Sequence, residues 1–141
     1  MATTDAATFL RQTPLFANLS EEQVDAMVKT AKQKSFQTDD VIVEEGQEGI
    51  GFYLILNGSV EVRKRDKTLA KLAQGDYFGE MALLIEDATR TADVVALEDT
   101  TCLLITRWDL RSLIRNHPDI ALAMHGELAR RLSQTNQELS E

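Results

Sequence analysis

The feature that most constrains the fold is a series of short apolar runs, separated by turn residues, in the middle of the chain. The runs occupy residues 41–43, 52–56, 60–63, 69–72, 93–97 and 102–105. Runs of this kind at intervals of about 8 to 12 residues are typical of an antiparallel β-sandwich or barrel. Asn57-Gly58 predicts a two-residue hairpin, because both central positions of such a turn need positive φ. Asp66-Lys67 predicts the next reversal.

Helical periodicity flanks this β region on both sides. Ser20 and Gln23 have the spacing of a capping box, and the apolar residues 24, 27, 28 and 31 that follow share one helical face. After Trp108 the apolar spacing is helical again, first over residues 110–114 and then, past Pro118, over residues 121–139. Pro118 suits the first turn of the second helix.

The length of 141 residues predicts one domain with one core. We expect a mainly-β fold with flanking helices. Its centre is an antiparallel β-roll, or jelly-roll barrel, with an N-terminal helix, a short interrupting helix and a C-terminal helix. The expected division is a helical part over residues 1–33, the β-roll over residues 34–107 and C-terminal helices over residues 108–141.

The net charge of −8 argues against direct binding of nucleic acid, which depends on Lys and Arg displacing the counterions of phosphates. An anionic ligand must find a local positive site in this chain. Since no segment approaches about 18 uninterrupted apolar residues, we expect no membrane attachment by this chain alone and a cytoplasmic location.

Few residues could support catalysis or hold a metal. The two histidines, His117 and His125, lack partners at metal-ligand spacing. The single cysteine, Cys102, lies in an apolar run without an activating base nearby in sequence, and no serine lies in a nucleophile elbow. We therefore predict a protein that is not an enzyme and needs no metal or cofactor.

Residues 78–92 interrupt the strands with a glycine followed by helix formers. Gly79 allows backbone to approach a ligand closely, and the amides of the first helical turn favour an anion. Arg90 can reach the same anion with its planar fork. Glu80 would repel a phosphate, but it can accept from a ligand hydroxyl such as a ribose 2′-OH. The segment predicts a phosphate site that suits a nucleotide.

This segment, Phe-Gly-Glu-Met-Ala-Leu-Leu followed by Thr-Arg-Thr-Ala, resembles the phosphate-binding cassette of cyclic nucleotide-binding domains, among them the bacterial catabolite activators and the kinase regulatory domains. The resemblance extends to Glu45-Gly46, to the run from Phe52, to Gln-Gly-Asp at 74–76 and to Ala-Arg-Arg-Leu at 129–132. It implies a regulatory sensor whose ligand is cyclic AMP or cyclic GMP and whose C-terminal helix closes as a lid.

The resemblance also implies the residues of the site. Those near the cyclic phosphate and ribose would be Gly79, Glu80, Met81, Ala82, Arg90, Thr91 and Ala92. Those facing the purine would be Val62, Leu69 and Leu72, with Thr135 and Asn136 reaching the base from the lid. The Thr91 hydroxyl resembles one that favours guanine, while the likeness to the bacterial activators favours adenine, and we expect cyclic AMP. Asp93 adds negative potential near the phosphate, and Glu86-Asp87 should point to solvent.

Other interpretations remain open on the sequence alone. The fold could serve as an interaction or dimerisation module without a ligand, although the joint presence of Gly79, Glu80 and Arg90 counts against this. The chain could also be the sensor part of a DNA regulator whose reading head lies elsewhere. The stripe on the last helix could pack on the core, on a second copy in a homodimer, or on a downstream effector domain.

Overall fold

The computed structural model describes residues 2–84 and 89–140. Its helices are α1 Ala2–Gln12, α2 Glu21–Thr30, α3 Met81–Leu84, α4 Arg107–Asn116 and α5 Asp119–Ser140, with a 3₁₀ turn at Pro14–Phe16. Its strands are β1 Lys32–Phe36, β2 Val41–Val43, β3 Gly51–Asn57, β4 Ser59–Lys64, β5 Lys67–Ala73, β6 Tyr77–Phe78, β7 Asp93–Ala96 and β8 Thr100–Thr106.

The strands form two four-stranded antiparallel sheets. The first has the order β1-β8-β3-β6 and the second the order β2-β7-β4-β5. Helices flank the sheets at both ends of the chain, and the short helix α3 interrupts the β region between β6 and β7. The expected fold class, mainly β with flanking helices and a short interrupting helix, is confirmed.

Strand β3 is buried on both of its faces. Phe52 and Leu54 belong to the core cluster that also contains the buried residues of the helices, whereas Tyr53 and Ile55 belong to a cluster between the two sheets. The ring of Phe52 meets that of Phe16 edge to face, with centroids 5.4 Å apart. Each such buried side chain stabilises the fold by about 1.5 to 3 kcal/mol. Because its side chains belong to both clusters, β3 links the two cores.

Capping boxes start two of the helices. The Ser20 hydroxyl accepts from the Gln23 amide at 3.1 Å, and the Ser20 amide donates to the Gln23 side chain at 2.9 Å, which confirms the predicted start of α2. Thr106 and Asp109 form the same arrangement at the start of α4. Each box satisfies amides that would otherwise lack partners.

The hairpin predicted at Asn57-Gly58 is wrong. The strands on either side of it lie in different sheets, because β3 already pairs with β8 on one edge and with β6 on the other. Gly58 has φ +101°, but Asn57 has no positive φ, so the two-residue turn of a hairpin does not form. The chain instead passes there from the first sheet to the second.

Smaller predictions also need correction. The reversal expected at Asp66-Lys67 lies one residue earlier, at Arg65-Asp66, where Arg65 has φ +59°. Strand β1 starts at Lys32, inside the part predicted to be helical through residue 33. Helix α1 and the two-residue strand β6 were not predicted. The residues of β1 are mostly exposed, which removes the apolar alternation by which strands are recognised.

Among the described residues, no helix is both long enough and apolar enough to cross a membrane.

The reactivity of the Cys102 thiol can be used to test the packing between the two sheets. The side chain is fully buried, and burial raises the pKa of its thiol to about 12. At pH 8 the thiolate fraction is then about one in ten thousand. We expect the thiol to react with a disulfide reagent more than about a hundredfold faster in denaturant than in the folded protein. Equal rates in the two conditions would contradict the described core.

Candidate functional site

A cavity of about 240 Å³ lies where the cassette meets the strands of the second sheet. Its floor is apolar and its rim carries one carboxylate and one guanidinium. The lining residues are Val43, Val62, Phe78, Gly79, Glu80, Thr89, Arg90, Thr91, Ala92 and Val94. A concave apolar site with a few convergent polar groups is the usual form of a small-molecule site.

Arg90 is half-buried at this cavity, and the start of β3 holds it in place. Its Nη2 donates to the carbonyl oxygen of Gly51 at 2.8 Å, and its guanidinium carbon lies 5.9 Å from the centre of the Tyr53 ring. Burial lowers the pKa of Arg90, and the nearby Tyr53 partly offsets this. An arginine with a lowered pKa is still a cation at neutral pH, so Arg90 provides a desolvated positive charge.

A loop before β3 fixes the backbone of Arg90. The Gly46 amide donates to the Arg90 carbonyl at 2.9 Å, and the Arg90 amide donates to the Gln47 carbonyl at 2.8 Å. Arg107, at the start of α4, also binds this loop. It donates to the Gly49 carbonyl at 2.7 Å and to a Glu48 carboxylate oxygen at 2.8 Å. The position of Arg90 is therefore tied to α4.

Gly79 is required by its conformation and by its neighbours. It has φ +83°, which side chains rarely tolerate. A Cβ at this position would lie 2.9 Å from the Gly51 carbonyl oxygen and would overlap Nη1 of Arg90. The glycine thus lets the cassette pass directly against the arginine.

Glu80 combines a paired oxygen with an unpaired one. Its Oε1 accepts from Nη1 of Arg131 on α5 at 3.1 Å. Its Oε2 is buried and has no hydrogen-bond partner among the residues that the structure describes. A buried carboxylate oxygen without a donor is costly, and here it belongs to a residue that lines the cavity. The site therefore has a vacant acceptor suited to a ligand hydroxyl.

The structure brings together half of the residues that the sequence predicted for the site. The six that line the cavity are Val62, Gly79, Glu80, Arg90, Thr91 and Ala92. Among these, Thr91 is exposed and Ala92 is buried. Met81 is the first residue of helix α3.

The other predicted residues lie away from the cavity lining. Ala82 is buried beside Gly49, and Leu72 packs against the cluster between the sheets. Leu69 is 55% exposed on β5, next to the point where β4 and β5 change register between Val62 and Arg63. Thr135 and Asn136 are exposed on α5.

Further residues, which the sequence pattern did not single out, contribute to the site. Val43, Phe78 and Val94 complete the apolar lining, and their place in short strands gave a weak signal. Arg131 was quoted only as part of a motif, yet it contacts Glu80.

Two acidic features had been expected to affect the phosphate site. Asp93 was expected to add negative potential; its Oδ1 accepts from the Glu45 amide at 2.7 Å, and the expectation stays a prediction. That hydrogen bond gives the carboxylate a structural role. Glu86-Asp87 lie outside the described residues.

Replacement of Gly79 by alanine tests the close contact with Arg90. We expect Gly79→Ala to lower the free energy of unfolding by at least about 1 to 2 kcal/mol, the strain of a left-handed conformation. The matched control is Gly126→Ala on α5, where a Cβ would meet nothing within 4 Å and where alanine favours the helix by about 1 kcal/mol. Urea unfolding of both variants measures the difference, and equal stability of the two would contradict the described site.

Comparison with known proteins places this site in a family. The family profile described as "Cyclic nucleotide-binding domain" matches residues 33–117. The N-terminal domain of a transcriptional regulator from Streptomyces coelicolor superposes with a TM-score of 0.89 at 29% identity, covering 94% of this chain and 95% of that one.

Curated relatives share sequence over nearly the whole chain. The Cyclic AMP receptor protein of Thermus thermophilus is 35% identical over 135 residues, which is 92% of this chain and 62% of the relative. The cGMP-dependent protein kinase, isozyme 1, of Drosophila melanogaster is 32% identical over 137 residues, which is 92% of this chain and 18% of the relative. The chain thus spans less than two thirds of the length of either relative, and its match to the family profile shows that it belongs to the cyclic nucleotide-binding domain family.

Proposed function

We propose that this chain is a non-catalytic sensor that binds a cyclic purine mononucleotide in the cavity between the cassette and the second sheet. The observation that carries the proposal is the vacant, buried Oε2 of Glu80 in the cavity that Arg90 also lines. A cyclic nucleotide supplies a ribose hydroxyl for the unpaired carboxylate oxygen and a phosphate for the guanidinium, which has further donors besides the one bound to Gly51.

The charges at the site support an anionic ligand. Arg90 lines the cavity in a chain whose net charge is −8, so an anion gains there what the average field of the protein denies it. Partial burial of Arg90 strengthens the attraction, because the surrounding dielectric is lower than that of water. The apolar floor near Val62 and Val94 suits a purine face.

Cyclic AMP is the proposed ligand, with cyclic GMP as the alternative. The relative from Thermus thermophilus is named for cyclic AMP and is 35% identical, while a relative named for cyclic GMP is 32% identical. The exposed hydroxyl of Thr91 at the cavity can donate to or accept from either base.

Helix α5 is the proposed output of the sensor. Arg131 joins α5 to Glu80, so a ligand hydroxyl that binds Glu80 acts on a carboxylate that α5 already holds. We expect the nucleotide to bind more tightly when α5 brings Thr135 and Asn136 over the base. A ligand shifts this equilibrium only by its difference in affinity for the two positions.

A second copy of the chain is the proposed partner of α5, in a cytoplasmic homodimer. Leu122 and Leu132 are 70% and 62% exposed. Together with His125, Ala129 and Asn136 they follow the alternating spacing of three and four residues that two-stranded coiled coils use, with the polar Asn136 in register to specify a dimer. A downstream effector domain could use the same stripe, and so could a dimerisation module that binds no ligand.

Calorimetric titration with cyclic AMP, cyclic GMP and linear AMP tests the ligand. We expect saturable binding of a cyclic form and weaker binding of linear AMP. Arg90→Leu should weaken binding by about 3 to 5 kcal/mol, or roughly 100- to 4,000-fold, because the phosphate loses its buried partner. Arg115→Leu, at an exposed position of α4, is the control and should leave affinity unchanged. An Arg90→Leu isotherm within threefold of wild type would refute the proposed role.

Sedimentation velocity tests the homodimer. We expect the wild-type chain to sediment as a dimer and Leu132→Glu to sediment as a monomer, because the substitution places like charges across the seam. The matched control is Leu69→Glu, which changes an equally exposed leucine on β5. A wild-type chain that stays monomeric with and without nucleotide would exclude the second copy and favour a different partner for α5.

A further inference from the structure

Helix α5 buries a carboxylate at a position where an apolar residue would be expected. Ile120, Met124 and Glu127 follow one another at helical spacing and are 0%, 4% and 6% exposed. The first two belong to the core cluster. A carboxylate on such a face costs free energy unless charged donors surround it.

The donors that surround Glu127 come from its own helix. Arg130 donates to Oε2 through Nε at 3.1 Å and to Oε1 through Nη2 at 2.6 Å. Arg131 donates to Oε1 through Nε at 3.2 Å. These are the i,i+3 and i,i+4 spacings at which helix side chains meet, with the acid in the favourable N-terminal position.

Arg131 uses the other arm of its guanidinium outside the helix. While Nε faces Glu127, Nη1 donates to Oε1 of Glu80 at 3.1 Å. One planar group therefore bridges two carboxylates, one on α5 and one in the cassette. Because the fork is rigid, fixing one arm fixes the direction of the other.

We infer that Glu127 is a positioning residue, which holds Arg131 against Glu80 and so fixes the orientation of the Glu80 carboxylate, whose Oε2 lacks a partner, at the cavity. This inference rests on the proposed function, in which that oxygen accepts from the ribose hydroxyl. Glu127 itself does not line the cavity and acts only through Arg131.

Without the contact to Glu127, the side chain of Arg131 would not be held in one orientation. The side chain is 31% exposed, and an arginine that is not anchored distributes over many rotamers, of which few reach Glu80. The hydrogen bonds from Arg130, and then those from Arg131, lower the pKa of Glu127. Glu127 is thus ionised at neutral pH, and it holds Arg131 against Glu80 without a bound nucleotide.

Two substitutions of Glu127 separate positioning from packing. Glu127→Gln keeps the shape of the side chain and removes its charge. Glu127→Met replaces the buried carboxylate by an apolar group of similar length, which often preserves or raises stability. Arg130→Gln is the matched control, because it removes a partner of Glu127 that does not contact Glu80 in the structure.

The first measurement needs no nucleotide. A double-mutant cycle of Glu80→Gln and Arg131→Gln gives the coupling between these residues from urea unfolding. We expect this coupling to fall in the Glu127→Gln background, where a neutral acceptor remains, to fall further in the Glu127→Met background, and to persist in the Arg130→Gln background. Coupling of unchanged size without the Glu127 carboxylate would overturn the inference.

The second measurement compares the affinities of cyclic AMP and its 2′-deoxy analogue. We expect the preference for the ribose hydroxyl to fall at least about threefold in Glu127→Met and to stay unchanged in Arg130→Gln. A preference that is unaltered in Glu127→Met would show that Glu127 only fills space. If the wild-type chain binds neither nucleotide, the proposed function fails, and the unfolding cycle alone still decides the role of Glu127.

Discussion

The burial of strand β3 on both faces is the constraint on which the rest of the structure depends. The helices cover one face and the second sheet covers the other, so the strand can neither slip nor tilt without disturbing both cores. Its first residue, Gly51, offers the carbonyl oxygen that Arg90 binds. A strand packed on both faces thus holds the charge to which a phosphate would bind.

Both C-terminal helices reach the site through arginines. Arg107 joins the start of α4 to the loop that holds the backbone of Arg90, and Arg131 joins α5 to Glu80. Arg107 also binds the carboxylate of Glu48, and Arg131 also binds that of Glu127. Because charge-assisted hydrogen bonds weaken steeply with distance, a small shift in the cassette changes the free energy of either helix position. The positions of both C-terminal helices are therefore coupled to the backbone that holds the site.

How much the sequence could predict depended on whether a residue acts locally. Turn, cap and alternation rules located most strands, and the short cassette was recognisable because Gly79 and Arg90 interrupt a β pattern. The hairpin prediction at Asn57-Gly58 was wrong because β8 and β6 occupy the two edges of β3. Which strands pair there depends on residues distant in sequence, and local turn rules do not include them. The exposure of Leu69 beside a register change between two strands and the contact between Arg131 and Glu80, which joins residues far apart in sequence, also lie beyond local rules.

A crystal structure of the chain grown with cyclic AMP tests the central claim most directly. The account predicts the phosphate within hydrogen-bond distance of the Arg90 guanidinium, and the ribose 2′-hydroxyl donating to Oε2 of Glu80. The 2′-deoxy analogue of cyclic AMP, which lacks that hydroxyl, should leave the carboxylate oxygen without a ligand partner under the same conditions. A cyclic nucleotide bound elsewhere, or bound in the cavity with neither contact, would contradict the account.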